Sequence, residues 1–147
     1  MRRKMNYALD TLLYGMQFRK LMEKEMQPIE TEYGLYKIDV QILLYLKRAG
    51  EQNTSKDIMQ MNMFTRGHIS QSLSRLQKKG LVRMEQDQED RRCTHNYLTE
   101  DASAVIRKIE KISKKIREII LDGVTQEEQK VFASVAQKMT HNIEKVL

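Results

Sequence analysis

The stretch TRGHISQSLSRLQKKGLVRMEQDQEDRRCTHNYLTEDA, residues 65–102, decides the fold of this chain. Over residues 65–79 the apolar side chains recur at spacings of four and three, which predicts a helix with one buried face. These apolar positions are Ile69, Leu73 and Leu76. We expect the helix to end at Gly80, because glycine readily takes the left-handed conformation that closes a helix.

A β-hairpin is predicted directly after this helix. Residues 81–85 and 93–98 have the composition of short strands, and the acidic segment 87–90 between them is typical of a turn. Arg91 and Arg92 stand where the hairpin turns back, and an arginine at such a tip can enter the narrow minor groove of DNA. The order of helix, glycine, strand, charged turn and strand therefore predicts a winged helix.

The outward face of the predicted helix is polar, small or basic, so its side chains can meet base edges and phosphates in a major groove. The candidate DNA-binding residues are Arg66, His68, Ser70, Gln71, Ser74 and Arg75, together with Arg91 and Arg92 of the hairpin. Gln71 is the candidate for base reading, since glutamine pairs bidentately with adenine. We expect Asp90 to support the wing by holding an arginine through a charge-assisted hydrogen bond. The alternative is a winged-helix module that docks this helix face on an acidic protein surface.

Several motifs in register resemble those of one known family. They are Gly80-Leu81-Val82, then Asp90-Arg91-Arg92 and Leu98-Thr99, with Thr54-Ser55-Lys56-Asp57-Ile58 upstream and His68-Ile69-Ser70-Gln71 between. Together they resemble the MarR family of bacterial winged-helix transcription regulators, and the resemblance covers nearly the whole chain. It implies a homodimer that binds double-stranded DNA, often represses transcription, and releases DNA when a small, frequently aromatic ligand enters beside the DNA-binding lobe. Tyr36 departs from the family pattern, because a helix-capping threonine is common at that place.

The composition agrees with a DNA-binding regulator. The 147 residues carry a formal net charge of +6, which favours a polyanionic partner, although a basic surface alone is weak support. One cysteine excludes an internal disulfide framework. We expect no membrane insertion and a cytoplasmic location, since the sequence has neither a long uncharged apolar run nor a cleavable signal.

Long amphipathic helices are predicted at both ends of the chain. The first runs roughly from Arg3 to Met26, where Pro28 ends or bends it. The second, from about 100 to 121, has apolar residues at Ala102, Val105, Ile109, Ile112, Ile116 and Ile119. The last opens at a capping box, Thr125 to Glu128, and has apolar residues at Phe132, Val135, Met139, Ile143 and Val146.

Three such apolar faces exceed what one small winged helix can bury, which favours a homodimer over a monomer whose first and last helices pack on each other. The predicted fold is therefore mainly α with a small β-wing, a winged helix-turn-helix flanked by long terminal dimerisation helices. We expect an N-terminal dimerisation segment at 1–34, the DNA-binding domain at 35–99 and C-terminal dimerisation helices at 100–147.

Candidates for a ligand pocket are Tyr14, Phe18, Tyr36 and Tyr45, although aromatic residues at helical spacing pack in cores more often than they bind ligands. Arginines beside Cys93 could lower its thiol pKa and make it reactive, or Cys93 could be simply a small strand residue. We expect no metal site and no cofactor, since His68, His95 and His141 lack paired ligand spacing. The sequence has no catalytic motif, so we expect no enzyme activity.

Overall fold

A computed structural model of the chain describes residue 12 and residues 15–147. It is mainly helical with a two-stranded antiparallel sheet, which confirms the predicted fold class. The elements are α1 (Gln17–Tyr33), α2 (Lys37–Ala49), α3 (Ser55–Met59), α4 (Arg66–Lys78), β1 (Val82–Gln86), β2 (Thr94–Leu98), α5 (Ala102–Ile120) and α6 (Gln126–Glu144). The chain divides into two compact units, one ending at Ser113 and the other formed by Lys114–Leu147.

Helices α3 and α4 form a helix-turn-helix whose two starts are capped by threonine. The Thr54 hydroxyl accepts a hydrogen bond from the Asp57 amide (3.2 Å), and the Asp57 carboxylate accepts one from the Thr54 amide (3.1 Å). The Thr65 hydroxyl accepts from the His68 amide (3.3 Å) at the start of α4. These bonds satisfy amide groups that a helix leaves without partners in its first turn, and so they fix where α3 and α4 begin.

The core of the first unit lies where α2, α4 and α5 turn their apolar faces inward. The predicted apolar stripe of α4 is buried, as are the central residues of α2 and the first half of α5. The fully buried aliphatic side chains include Val40, Ile42, Leu43, Ile58, Ile69, Leu76, Val105 and Ile109. Burial of these groups holds the inner face of α4 against the domain and leaves its polar face outward.

The wing is joined to the end of α4 by a short set of hydrogen bonds. Strands β1 and β2 pair antiparallel, with Val82 opposite Leu98 at one end. Gly80 has a φ of 74°, a left-handed conformation that favours glycine. Its carbonyl accepts a hydrogen bond from the Thr99 hydroxyl (2.6 Å). Gly80 and Thr99, which belong to two of the motifs quoted from the sequence, are therefore in contact at the base of the wing.

The first helix differs from its prediction. It continues through Pro28 to Tyr33, so the expected end near Met26 is wrong. Met26 and Ile29, on either side of the proline, are each 3% exposed. Proline removes one backbone hydrogen bond from the helix, because it has no N–H group. Burial of both side chains outweighs this loss and favours a helix that continues past Pro28. The helix also begins only at Gln17, because Gly15 and Met16 are not helical, so the single helix predicted from Arg3 is wrong at this point. Residues 1–11, which include the predicted start, lie outside the described residues.

The second unit contains the end of α5 and all of α6. The predicted capping box is confirmed: the Thr125 hydroxyl accepts from the Glu128 amide (3.1 Å), and the Glu128 carboxylate accepts from the Thr125 amide (3.0 Å). None of the residues in α6 is buried. Among the helices in the described part of the chain, none is long and apolar enough to cross a membrane. The three predicted segment boundaries stay a prediction.

Candidate nucleic-acid interface

Helix α4 presents a continuous polar surface, which we call the reading face. Its members are the exposed residues Arg66, His68, Ser70, Gln71 and Ser74. Successive turns of the helix place these side chains along one side, opposite the buried Ile69 and Leu76. The structure therefore brings together the polar candidates that the sequence singled out on this helix, and their contact with DNA stays a prediction.

Arg75, the remaining candidate on α4, is engaged within the protein. Its Nη2 donates to Oδ1 of Asp39 at 2.9 Å, and its Nε lies 3.4 Å from Oδ2 of the same carboxylate. On another side the guanidinium carbon lies 4.5 Å from the centre of the Tyr36 ring, within the range of a cation–π contact. The side chain is 32% exposed. Arg75 thus has an intramolecular role that the sequence did not indicate.

Asp39 is the centre of this arrangement, and sequence reasoning missed it. It is fully buried in α2. Besides Arg75, it accepts hydrogen bonds from the Ser72 hydroxyl (2.5 Å) and the Tyr36 amide (2.8 Å). The signal available in the sequence was one carboxylate among the apolar residues of Lys37–Ala49. A buried charge requires partners, so Asp39 implied a cation elsewhere in the chain, without saying which one.

The tip of the wing is organised by two aspartates. Oδ1 of Asp87 accepts from the amides of Glu89 (2.8 Å) and Asp90 (3.0 Å), and Oδ1 of Asp90 accepts from the Arg92 amide (3.0 Å). The expected bond from Asp90 to an arginine side chain is therefore replaced by one to the arginine backbone, the pattern of an Asx turn. Arg91 and Arg92 are both exposed at this tip.

His95 connects the wing to the segment that precedes α3. Its Nε2 lies 2.8 Å from Oδ2 of Asp87, and its Nδ1 lies 2.5 Å from Oδ1 of the buried Asn53. An isolated antiparallel bridge also pairs the backbone of Thr54 with that of His95. The pKa of Asp87 falls to about 2, because the Asp90 amide, His95 and the Glu89 amide all stabilise its charged form.

Cys93 lies half-buried immediately before β2. Its thiol is 3.7 Å from Oδ2 of Asp90. The expectation that neighbouring arginines lower its pKa is wrong, because burial and the negative charge of Asp90 raise the pKa of the Cys93 thiol. The thiol is therefore less reactive than an ordinary exposed cysteine. Within residue 12 and residues 15–147, no cluster of three metal-ligating side chains occurs.

An apolar cavity of about 200 Å³ lies in the first unit, where α1, α2 and the segment before α4 meet. The side chains of Met22, Met26, Val40, Met63 and Phe64 line it, with charged groups at Arg19, Glu23, Glu30 and Lys37. An ion pair between Glu23 and Lys37 lies among these charged groups. Burial raises the pKa of Glu30.

Phe18, Tyr36 and Tyr45, the described members of the predicted aromatic ligand site, do not line this cavity. The Tyr36 ring is on Arg75, the Tyr45 hydroxyl donates to the Gln52 carbonyl oxygen (2.8 Å), and Phe18 is exposed to solvent. Tyr14 lies outside the described residues. The binding role of these four residues stays a prediction. Met26, Val40, Met63 and Phe64 were not singled out from the sequence, because methionine and other apolar side chains are more often core residues than ligand-binding ones.

Comparison with known proteins agrees with this geometry. Residues 35–102 match the family model of a winged helix DNA-binding domain. The transcriptional regulator PA3341 is 27% identical, with 91% of this chain and 97% of that chain covered and a TM-score of 0.78. AbsC, a MarR family transcriptional regulator from Streptomyces coelicolor, is 21% identical, with 97% and 94% covered and a TM-score of 0.78. MepR of S. aureus, solved as a DNA complex, is 20% identical, with 90% and 96% covered and a TM-score of 0.74.

The match to the family model contains the helix-turn-helix, the wing and the residues that close the wing at its base. The similar structures extend over both described units. The proteins of this group are transcriptional regulators and not enzymes, in agreement with the lack of a catalytic motif in the sequence. The chain therefore contains a winged helix DNA-binding domain, and its fold is that of the MarR family transcriptional regulators.

Proposed function

We propose that this protein is a sequence-specific transcriptional repressor that acts in the cytoplasm and binds a near-palindromic operator as a homodimer. The observation that carries the proposal is the reading face of α4, which is exposed along its length. The opposite side of the helix is buried in the core. A rigid helix with a free polar face is the element that winged-helix proteins place in a major groove.

The wing supplies the second contact. Arg91 and Arg92 are exposed at its tip, and the Asp87 and Asp90 carboxylates fix the backbone that carries them. With α4 in a major groove, an arginine at the wing tip is suited to the adjacent minor groove, where the negative potential is strongest when the groove is narrow. MepR, which has the same fold, was solved as a DNA complex.

The homodimer follows from apolar surface that the described chain leaves uncovered. Phe132, Val135 and Ile143 of α6 are 59%, 47% and 57% exposed, and Ile119 at the end of α5 is 47% exposed. A stripe of this kind on a monomer is a typical interaction site, and an identical stripe on a second copy can cover it. A two-fold dimer would present two α4 helices about 34–36 Å apart, one turn of the DNA duplex.

The apolar cavity between α1 and α2 is the site proposed for a small aromatic effector. Its volume of about 200 Å³ suits one ring with few substituents. Met63 and Phe64 line it immediately before the Thr65 cap of α4. A ligand that displaces these two side chains would shift the start of α4, and so DNA affinity would change with ligand occupancy.

The experiment is a titration of the purified protein against the DNA upstream of its own gene and against a scrambled duplex of equal length, at several salt concentrations. The proposal requires tight, salt-sensitive binding to the first duplex and much weaker binding to the second. Equal and weak binding to both duplexes would reduce the interaction to charge attraction. That result would favour the protein-interaction alternative, in which α4 docks on an acidic surface.

A further inference from the structure

Tyr36, Asp39, Ser72 and Arg75 form a unit that joins α2 to α4, which we call the Asp39 clamp. We propose that the clamp holds α4 in its DNA-reading position, and that Arg75 acts through Asp39 as a positioning residue and does not bind phosphate. The proposal rests on the proposed function, since it concerns how α4 meets DNA. It assigns a function to two buried residues, Asp39 and Ser72, that carry no surface role.

The Asp39 carboxylate has all its hydrogen-bond acceptor positions occupied within the protein. It is fully buried and accepts hydrogen bonds from Tyr36, Ser72 and Arg75, four contacts in all when both Arg75 nitrogens are included. A carboxylate offers about four acceptor positions. Asp39 therefore has no free acceptor position for a further hydrogen bond. Among the described residues, Arg75 is the cation that pairs with its charge.

Ser72 and Arg75 lie three residues apart on α4, so both reach Asp39 from the same side of the helix. Gln71 and Ser74, their immediate neighbours in sequence, are exposed on the reading face. A slide of α4 by about one residue, roughly 1.5 Å, would break the contacts of both clamp residues. Apolar packing resists such a slide less specifically, because buried side chains can repack with small shifts.

Arg75 is held within the protein and is not free to reach DNA. Its guanidinium lies between the buried Asp39 carboxylate and the Tyr36 ring, with 32% of the side chain exposed. Turning it towards a phosphate would leave the Asp39 charge buried without a counter-ion, which is strongly unfavourable. One exposed phosphate contact in water does not compensate for that loss. Arg75 therefore stays in the clamp when DNA is bound.

The test uses Asp39→Asn, with Glu32→Gln as a matched control. Glu32 pairs with Lys108 at 2.8 Å, and the Lys108 ammonium lies 5.2 Å from the Tyr33 ring, so a carboxylate, a cation and an aromatic ring meet between α1 and α5 as they do in the clamp. Both variants lose one carboxylate and release one cation. For each, operator and scrambled-duplex affinities are measured against salt, on protein whose circular dichroism spectrum matches the wild type.

We expect Asp39→Asn to lower the ratio of operator to scrambled affinity by about tenfold, the size of one lost base-pair recognition. Its affinity for scrambled DNA should stay the same or rise. The salt slope, which is the slope of log affinity against log salt concentration, should steepen by about 0.9, because Arg75 becomes free to bind a phosphate. Simple loss of folded protein would weaken both affinities together. Glu32→Gln should leave the ratio unchanged.

Two further variants keep the test decisive if Asp39→Asn does not fold. Ser72→Ala removes one hydrogen bond and leaves the ion pair intact, so we expect a smaller loss of selectivity. Arg75→Met should lower selectivity with no change in the salt slope. A shallower salt slope for Arg75→Met would show that Arg75 binds phosphate. An unchanged ratio of operator to scrambled affinity in Asp39→Asn or Ser72→Ala would show that the clamp does not position α4. A wild-type protein without selectivity would instead refute the proposed function, and the clamp role with it.

Discussion

Phe132→Ala provides the most direct test of the homodimer. The Phe132 side chain is 59% exposed on α6. An aromatic side chain offers about 200 Å² of surface, so roughly 120 Å² awaits a partner. At about 25 cal/mol per Å² this corresponds to about 3 kcal/mol per protomer, or about 6 kcal/mol in a two-fold dimer that buries both copies. Alanine retains part of this contact, which leaves a loss of about 4 kcal/mol.

A loss of about 4 kcal/mol corresponds to a dissociation constant about a thousandfold higher. Sedimentation equilibrium over a wide range of protein concentration measures this change directly. Lys130→Ala is the matched control, because Lys130 lies two residues earlier, near the opposite side of α6, and is also exposed. We expect the control to dimerise like the wild type and Phe132→Ala to be monomeric at micromolar concentration.

Two results would refute this reasoning. If the wild type itself sediments as a monomer, the exposed stripe has another partner, and operator binding cannot depend on two linked helices. If Phe132→Ala dimerises as tightly as Lys130→Ala, the interface lies elsewhere on the chain. Unfolding of Phe132→Ala at low urea, with no change in association, would indicate the monomeric alternative in which the terminal helices pack on each other.

Four further outcomes are expected. Gln71→Ala should relax the base preference at one position of each half-site, seen by competition with singly substituted operators, while non-specific affinity stays the same. Arg92→Ala should weaken operator binding and reduce the salt slope by about 0.9, measured by fluorescence anisotropy. The pKa of Asp87 in the folded protein, about 2, lies below its ordinary value of 3.8, so the charged carboxylate stabilises the fold above about pH 4. This contribution disappears as the pH falls towards 2. Asp87→Asn should therefore reduce the loss of unfolding free energy at acid pH, measured by urea unfolding. Cys93 should alkylate more slowly than a free cysteine at neutral pH, and Asp90→Asn should speed the reaction.

The local pattern of residues 65–102 was sufficient to predict much of the fold. The stripe of α4 fixes its buried face, Thr65 and Gly80 mark its ends, and the polar turn separates two strands. All of these signals act within a few residues of one another, where spacing and backbone preference decide the structure. For the same reason the exposed residues of the reading face could be predicted from the sequence.

The clamp could not be predicted in this way, because its contacts join distant parts of the chain. Asp39 and Ser72 lie 33 positions apart, and nothing in local spacing pairs them. The position of Arg75 on α4 predicts an outward side chain. Its guanidinium instead pairs with the Asp39 carboxylate of α2. The end of α1 was missed for a related reason, since burial of Met26 and Ile29 outweighs the local effect of Pro28.

A second polar network holds the backbone that carries the wing arginines. The Arg92 amide is held by Asp90, the Asp90 amide by Asp87, and Asp87 by His95. His95 in turn contacts the buried Asn53, which immediately precedes the Thr54 cap of α3. A continuous chain of hydrogen bonds therefore links the segment before α3 to the wing tip. The clamp that we propose for α4 shares no residue with this network, so we expect a substitution in one network to leave the contacts of the other intact.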